Sequence, residues 1–298
     1  MSRVLVSGGT GYVGRFVVEH LLAHGHDVTV GGRSPPAAGF YSKHVAFAPL
    51  ILDPDLDQGD AFRNVDHFVH AAFSHLPGKY RGGEGDDPDG FRCANLDGSV
   101  RLFEEARQAG IRRCVFLSSR AVYGPYPGRV TLTEETPPQP ETLYGQVKLE
   151  AERRLQSLCG PAFITTCLRV TGVYGPAGPG RQHKWQSLFN DYLAGRPVPA
   201  RTGTEVHGDD VAAAVRLMLE ADPSVISGWV FNVSDLLVDT RSVLAIVRDA
   251  TACPHPLPPP AFLLAFNPMA TERIRALGWG PGGAARLRAV VTDLVASR

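Results

Sequence analysis

Short apolar runs alternate with longer amphipathic runs through the first half of the chain. Apolar runs of about four to eight residues are typical of buried strands, and apolar positions about three or four residues apart are typical of helices. The runs predict strands at Arg3–Ser7, Asp27–Val30, Val65–Ala72, Cys114–Ser118 and Phe163–Arg169. They predict helices at Tyr12–His24, Asp97–Ala109 and Thr142–Leu158. This alternation predicts an α/β fold, a parallel sheet with helices on both faces.

After Thr171 the pattern loosens, and glycine and proline cluster at 175–180 and again at 254–260. Apolar spacing here predicts four helices and one strand, at Lys184–Ala194, Asp210–Glu220, Thr240–Ala250, Ala284–Ala296 and Trp229–Val233. We therefore expect a large α/β domain at residues 1–170. Residues 171–298 should form mainly a smaller substrate-binding lobe, with some segments returning to the sheet.

Composition and charge narrow the class of partner. The 298 residues are 44% hydrophobic and 20% charged, with a formal net charge of zero and no lysine- or arginine-rich block. This balance disfavours nucleic acid and anionic membranes and predicts a small-molecule substrate. The start of the chain, MSRVLVSGG, lacks the pattern of a signal peptide, and no apolar stretch approaches the roughly 20 residues that span a membrane. The sequence thus predicts a cytoplasmic protein.

The cysteines do not indicate a metal or disulfide site. Cys93, Cys114, Cys159, Cys167 and Cys253 are scattered and show no CxxC spacing, which predicts reduced thiols and no bound metal.

A glycine-rich turn follows the first predicted strand and leads directly into a helix. Gly8, Gly11 and Gly14 have the spacing that a sharp turn, a close approach to pyrophosphate and close helix–strand packing require. The N-terminus of the helix offers N–H groups and partial positive charge to phosphates. We expect Gly8, Gly11, Tyr12, Val13 and Gly14 to bind a dinucleotide in a Rossmann-like, doubly wound sheet.

The end of the second predicted strand bears on the choice of dinucleotide. An acidic residue there would hold the ribose 2′-hydroxyl of NAD, but the chain has Gly31-Gly32-Arg33-Ser34. Arg33 could pair with a 2′-phosphate and Ser34 could add a hydrogen bond, so NADP is favoured over NAD. The alternative is that Arg33 is an exposed loop residue.

Three polar residues suggest the chemistry that would accompany this cofactor. Tyr144 and Lys148 lie four residues apart at the start of a predicted helix, so both can face one cleft. An ammonium lowers the pKa of a tyrosine hydroxyl from about 10 and suits it to proton transfer. Ser119 follows a predicted strand and can polarise a substrate oxygen at the carboxyl edge of the sheet.

These motifs resemble those of the extended short-chain dehydrogenase/reductase family, of the NAD-dependent epimerase/dehydratase type. The resemblance covers most of the chain and rests on Gly8–Gly14, Asp66–Ala72, Asn95–Ser99, Ser118–Gly124, Tyr144–Lys148, Leu168–Arg169, Val173–Pro176 and His207–Ala212.

The resemblance implies that Ser119, Tyr144 and Lys148 are the catalytic residues, and that Lys148 also contacts the nicotinamide ribose. It implies that Ala71 and Ala72 line the cofactor site. It also implies that Asn95 is a structural polar residue near the active site, and that a homodimer forms through helices 97–109 and 142–158.

The chain departs from the family in three places. Gly32 stands where an acidic residue is common, in keeping with NADP. Leu50 and Ile51 lie where an aspartate often contacts adenine, and we assign both to the cofactor site. Gly172 stands where nucleotide-sugar 4-epimerases often carry asparagine, which weakens the expectation of a nucleotide-sugar substrate.

Candidate substrate residues lie in the loop that follows the cofactor-lining strand and beside the predicted catalytic groups. Cationic side chains in the loop could hold a carboxylate or phosphate, although the loop could equally be a solvated stretch of mixed charge. The assigned substrate residues are His75, Arg81, Ser119, Arg120 and Thr171.

The leading prediction is an NAD(P)-dependent oxidoreductase that acts on a secondary alcohol or ketone of a sugar or sugar derivative. The alternative is a nucleotide-sugar epimerase with retained NAD. A third hypothesis, a non-catalytic dinucleotide-binding sensor, is disfavoured because both Tyr144 and Lys148 are present.

Overall fold

A computed structural model describes residues 1–76, 83–261 and 266–297 of the chain. The strands in these ranges are β1 (Arg3–Ser7), β2 (Asp27–Gly32), β3 (Ala46–Pro49), β4 (His67–His70), β5 (Arg113–Ser119), β6 (Ile164–Val170), β7 (Gly172–Tyr174), β8 (Thr202–His207), β9 (Val230–Val233) and β10 (Leu236–Asp239). The α-helices are α1 (Tyr12–Ala23), α2 (Pro88–Arg92), α3 (Gly98–Gln108), α4 (Leu143–Ser157), α5 (Gln186–Leu193), α6 (Gly208–Glu220), α7 (Pro223–Ile226), α8 (Thr240–Thr251), α9 (Glu272–Arg275) and α10 (Gly283–Ala296). Two 3₁₀ turns, Gly59–Phe62 and Arg120–Val122, and one π-helical turn, Cys93–Asp97, complete the description.

Seven strands form one parallel sheet in the order β3-β2-β1-β4-β5-β6-β9. The chain order reverses between β1 and β4, which is the switch point where ligands of doubly wound sheets bind. The predicted α/β, Rossmann-like fold is therefore confirmed. A second sheet pairs β8 parallel with β7 and antiparallel with β10.

The alternation of side chains along β1 explains how both faces of the sheet are covered. Val4 and Val6 pack in one buried cluster with residues of α1 and α6, whereas Leu5 packs in another with residues of α3 and α4. Successive side chains of a strand point to opposite faces, so an uninterrupted apolar strand requires helices on both sides. Burial of Leu5 contributes about 1.5–3 kcal/mol.

The second half of the chain divides between the two sheets. β9 returns to the edge of the large sheet beside β6, while Tyr174, Trp185 and residues of α8 and α10 form a separate buried cluster. The predicted boundary at residue 170 stays a prediction. No helix within the described ranges is long and apolar enough to cross a membrane.

The sequence pattern missed the short strands β3, β7, β8 and β10. β8 is the segment TGTEVH, in which polar residues hide the apolar positions. β2 also runs two residues beyond the predicted end at Val30, through two glycines. The predicted Val65–Ala72 strand is reduced to His67–His70, because the chain leaves the sheet at Ala71 to form the loop beside the glycine-rich turn.

Candidate functional site

The candidate site lies at the carboxyl edge of the large sheet. Because its strands are parallel, their carboxyl ends meet at one edge. Gly8 follows β1, Arg33 follows β2, Ala71 follows β4, and Ser119 ends β5 opposite Val170 of β6. The topology thus brings together residues that the sequence separates by more than a hundred positions.

The glycine-rich turn is packed too closely for side chains. Gly8 has a φ of 68°, and a Cβ on it would lie 2.6 Å from Cα of Ala72. A Cβ on Gly14 would overlap the carbonyl oxygen of Gly8, while the N–H of Gly11 donates to that oxygen at 2.8 Å. Gly11 caps α1 without a side chain, so the first N–H groups of the helix stay available to phosphates. This cradle fits a dinucleotide.

The other assigned cofactor residues border this turn. The hydroxyl of Tyr12 donates to the carbonyl of Gly175 at 2.7 Å, which joins the start of α1 to the loop after β7. The side chain of Val13 is partly buried against the core, while its backbone lies in the first turn of α1. Ala72 lies against Gly8, and its N–H reaches the hydroxyl of Ser7 at 3.4 Å.

The residues assigned to the adenosine end lie after β2 and β3. Arg33 and Ser34 are exposed directly beyond β2. Leu50 is buried, and its N–H donates to the carbonyl of Gly32 at 2.9 Å. Ile51 exchanges two backbone hydrogen bonds with the side-chain amide of Gln58, at 2.7 and 3.0 Å. An exposed Arg33 can either form an ion pair with a 2′-phosphate or stack on an adenine ring.

Lys148 is a buried cationic group at this edge, and its pKa is strongly lowered. Its side chain is 4% exposed, and Nζ donates to the carbonyl of Leu117 in β5 at 2.8 Å. The ammonium lies 4.5 Å from the ring centre of Phe73 and 4.6 Å from that of Phe116. Burial lowers the pKa of Lys148 to about 7, against an opposing effect of Glu152. The amine can therefore exchange a proton near neutral pH.

Tyr144 lies one helical turn before Lys148 and contacts the same aromatic ring. The rings of Tyr144 and Phe73 meet edge to face, with centres 5.0 Å apart. Phe73 directly follows Ala72, so one side chain joins the tyrosine and the lysine to the predicted cofactor loop.

Local capping places Ser119 beside the start of α4. Ser119 ends β5 and its Oγ accepts from the N–H of Ala121 at 3.1 Å, which leaves its own hydrogen to be donated. Thr142 caps α4 by accepting from the N–H of Gly145 at 3.1 Å. A Cβ on Gly145 would lie 2.5 Å from the carbonyl oxygen of Ala121, so the two segments pack in contact.

A buried hydrogen-bonded chain supports the loop that carries Phe73. His70 contacts Ser7 through Nδ1 at 2.7 Å and Ser99 through Nε2 at 2.9 Å. Ser99 donates its hydrogen to the carbonyl of Asn95 at 2.6 Å, so it accepts from Nε2 of His70. Burial, and secondarily Lys148, lowers the pKa of His70 to about 3, which keeps this imidazole neutral.

Asn95 completes the support of this loop. Its amide nitrogen donates to the carbonyls of Ser74 and Phe91, and its oxygen accepts from the N–H of Ser74 at 2.7 Å. Asn95 is thus a buried structural residue beside the site.

The assigned substrate residues occupy different surroundings. His75 lies in the loop after Phe73, and its Nδ1 is 2.8 Å from the carbonyl oxygen of Leu76. Arg81 lies outside the described residues. Arg120 contacts Phe266 and Asn267, while the hydroxyl of Thr171 donates to the carbonyl of Thr204 at 2.8 Å. Thr171 is therefore engaged with β8, although it directly follows the end of β6.

An ion pair fills the space beside Gly172. A Cβ there would lie 2.6 Å from Nζ of Lys184 and 2.8 Å from Oε2 of Glu205. Lys184 pairs with both oxygens of Glu205. In this chain the space that an asparagine side chain would occupy at position 172 is therefore filled by the side chains of Lys184 and Glu205.

Sequence reasoning missed three residues of the site, Phe73, Phe266 and Asn267. Phe73 could have been found from its position directly after the cofactor-lining alanines. Phe266 and Asn267 belong to a loop without periodicity, and a contact over 147 residues joins Asn267 to Arg120.

The chain has clear relatives among known proteins. The model of the family described as NAD dependent epimerase/dehydratase matches residues 4–234. A UDP-glucose 4-epimerase of Corynebacterium glutamicum is 29% identical over 325 residues, which cover 98% of this chain and 94% of that protein. A UDP-glucose 4-epimerase of Neisseria meningitidis serogroup B is 32% identical over 290 residues, covering 83% and 81%. The structure of the Thermus thermophilus UDP-glucose 4-epimerase in complex with NAD superposes with a TM-score of 0.78, at 27% identity and 99% coverage of both chains.

Proposed function

The chain belongs to the NAD-dependent epimerase/dehydratase family, and from this premise we propose that it epimerises a nucleotide sugar with a retained NAD. Family membership makes it an NAD-dependent enzyme of the short-chain dehydrogenase/reductase type, which sets aside the sensor hypothesis. The named relatives support the epimerase alternative better than the net oxidoreductase that the sequence favoured first.

The observation that carries the proposal is the meeting of Tyr144 and Lys148 on the ring of Phe73. Phe73 continues the loop whose Ala72 lies against Gly8 of the dinucleotide turn. Proton-transfer groups and a dinucleotide cradle therefore share one edge of the sheet. Such an arrangement suits the removal of a proton from an alcohol beside a nicotinamide.

We assign the proton transfer to Tyr144: its phenolate oxygen takes the proton of the substrate alcohol as the carbon is oxidised, and returns it to the oxygen as the opposite face of the carbonyl is reduced. Ser119 donates its free hydrogen to the substrate oxygen and orients it. Lys148, in its charged form, lies one turn from Tyr144 and favours the phenolate. NAD held by the glycine-rich turn would supply a hydride acceptor for the substrate carbon and, once reduced, a hydride donor to the opposite face of the same carbon.

We propose NAD as the cofactor in place of the NADP favoured from Arg33. The family description and the NAD complex of the Thermus relative support this choice. In this proposal Arg33 borders the adenosine, where an exposed guanidinium can stack on a purine without any 2′-phosphate.

The test combines chromatography with absorbance at the nicotinamide band. Purified protein is incubated with UDP-glucose, UDP-N-acetylglucosamine and UDP-glucuronate, and each mixture is analysed for the 4-epimer. We expect one epimer to accumulate with no net change in NADH. Net stoichiometric reduction of added NAD or NADP, with an oxidised sugar as product, would show a dehydrogenase instead.

Tyr144→Phe tests the assignment of the base. Removing a general acid–base group costs about 10²- to 10⁴-fold in turnover, while cofactor binding should persist. Tyr192→Phe is the matched control, because Tyr192 lies in α5 and its hydroxyl donates to the carbonyl of His255 at 2.8 Å. Equal activities of the two variants would remove Tyr144 from the mechanism.

The homodimer through α3 and α4 stays a proposal. These helices pack side by side and carry Arg153, Arg154, Glu104 and Glu150 beside a shared cavity of about 410 Å³. Sedimentation of the wild-type protein, compared with an Arg153→Glu/Arg154→Glu variant, tests whether this face joins two copies.

A further inference from the structure

Ser7 joins the loop after β4 to the glycine-rich turn. Its carbonyl accepts from the N–H of Ala71 at 3.1 Å, and its hydroxyl oxygen accepts from the N–H of Ala72 at 3.4 Å. Ser7 directly precedes Gly8, on which a Cβ would lie 2.6 Å from Cα of Ala72. The two alanines predicted to line the cofactor are therefore both tied to the residue before the turn.

The hydroxyl of Ser7 is oriented by His70. Nδ1 of His70 lies 2.7 Å from Oγ of Ser7, and Nε2 lies 2.9 Å from Oγ of Ser99. Ser99 gives its one hydrogen to the carbonyl of Asn95 at 2.6 Å, so it can only accept from an Nε2–H. A neutral imidazole carries one N–H, so Nδ1 accepts the hydrogen of Ser7. The lone pairs of Ser7 then stay available to the N–H of Ala72.

The imidazole of His70 is neutral, and its plane is fixed. The side chain is fully buried, and burial, with a smaller effect of Lys148, lowers its pKa to about 3. The ring stacks on that of Phe116 with centres 5.6 Å apart and meets the ring of Phe103 edge to face at 5.3 Å. Because charge and plane are both set, the direction of the hydrogen bonds depends on which ring nitrogen carries the hydrogen.

We propose that His70 is a positioning residue of the cofactor site, which as the Nε2–H tautomer directs the hydroxyl of Ser7 and so holds Ala72 in place against a bound dinucleotide. The inference rests on the proposed function, in its assignment of the cofactor. The opposite tautomer would leave the hydrogen of Ser7 without its acceptor. It would also place an unprotonated nitrogen against Ser99, whose hydrogen is already donated. Unpaired polar groups in a buried position are costly, which favours the Nε2–H form.

The tautomer can be observed directly. Proton–nitrogen NMR of protein with isotope-labelled histidines separates a protonated ring nitrogen from an unprotonated one. The signals that are absent from a His70→Gln variant belong to His70. We expect a protonated Nε2 and an unprotonated Nδ1 at pH 6 and at pH 8 alike, because the pKa of about 3 keeps the ring neutral at both.

Two substitutions divide the contacts of His70 between them. His70→Asn keeps an oxygen near the position of Nδ1, so it can still accept from Ser7, but it does not reach Ser99. His70→Gln keeps an N–H near the position of Nε2 for Ser99, but it loses the acceptor for Ser7. His67→Asn and His67→Gln are the matched controls, because His67 is a second buried histidine of β4, at the amino end of the strand.

Release of the cofactor reports on the position of Ala72. NADH bound to each variant is displaced with excess NAD, and its fluorescence gives the dissociation rate. We expect His70→Gln and Ser7→Ala to release NADH about 2- to 10-fold faster than the wild type, which is the effect of one neutral hydrogen bond. His70→Asn should release it at close to the wild-type rate, although its Tm should fall further than that of His70→Gln, because asparagine leaves the larger cavity. Both His67 variants should release NADH at the wild-type rate.

A protonated Nδ1 or a charged ring in the wild-type protein would overturn the inference. Faster release from His70→Asn than from His70→Gln would do the same, since that is the order expected if His70 only fills space. Equal release rates in the His67 and His70 variants would also overturn it. Failure of the proposed function would look different. In that case the tautomer and the release rates would stay as described, but no nucleotide sugar would yield an epimer.

Discussion

Replacement of Lys148 by methionine should stabilise the protein at low pH while it abolishes activity. In the unfolded chain this lysine holds its proton up to its ordinary pKa of 10.5, whereas in the folded protein burial lowers the pKa to about 7. Between these values the unfolded state binds the extra proton, so stability rises with pH across this window. Below about pH 7 the folded protein bears the full cost of a buried ammonium.

The magnitude follows from the two pKa values. Each unit of difference corresponds to about 1.36 kcal/mol, so the cost is about 5 kcal/mol below pH 7 and about 2 kcal/mol at pH 9. The variant also loses the hydrogen bond to Leu117; the part of that loss that depends on the charge of the amine is already contained in the pKa of Lys148, and the rest is common to both pH values. The advantage of Lys148→Met over the wild type should therefore shrink by about 3 kcal/mol between pH 6 and pH 9.

Thermal unfolding without added cofactor, followed by circular dichroism at both pH values, measures this change. At about 2 °C per kcal/mol for a chain of this size, the difference in Tm between variant and wild type should fall by about 6 °C from pH 6 to pH 9. Lys43→Met is the matched control, because exposed Lys43 also donates to a backbone carbonyl, that of Leu22, at 2.9 Å. A Tm difference that is the same at pH 6 and pH 9 for Lys148→Met would refute the reasoning.

Other substitutions test separate parts of the structure. Gly14→Ala should weaken NAD binding at least about tenfold, because its Cβ would overlap the carbonyl of Gly8; fluorescence titration with NADH measures the loss. Arg169→Met should lower the free energy of unfolding by about 3–5 kcal/mol, because it leaves the buried carboxylate of Glu152, 2.7 Å away, without its partner. Urea titration measures the loss, and the double variant Arg169→Met/Glu152→Leu should recover most of it. Gly172→Asn should cost about 1–3 kcal/mol in the same titration, because the added side chain displaces the adjoining ion pair, and an unchanged midpoint would contradict the packing described for this position.

The buried lysine lowers the free energy of unfolding, and the contacts of the loop that carries Phe73 hold it in place. Phe73 and Phe116 shield Lys148 from water. Phe73 lies in a loop whose next residue, Ser74, is hydrogen-bonded through both its N–H and its carbonyl to the side chain of Asn95. Residues kept for function commonly lower stability in this way, and the rest of the fold offsets the cost.

Local sequence determined the first strand, the glycine-rich turn and the longer helices, and the order in which they occur. Val4, Leu5 and Val6 predicted a strand buried on both faces, and the three glycines that follow predicted the turn, because both signals depend on neighbouring residues along the chain. The four-residue spacing of Tyr144 and Lys148 placed both on one helical face for the same reason.

Tertiary structure decided what surrounds these residues. The depth at which Lys148 is buried, and hence its pKa, depends on aromatic rings from β5 and from the loop after β4. Arg120 donates to the carbonyl of Asn267, 147 residues away in the chain, and the space beside Gly172 is filled by Lys184 and by Glu205 of β8. Periodicity and spacing describe only short stretches of chain, whereas desolvation and charge pairing depend on which distant stretches the folded sheet brings to one edge.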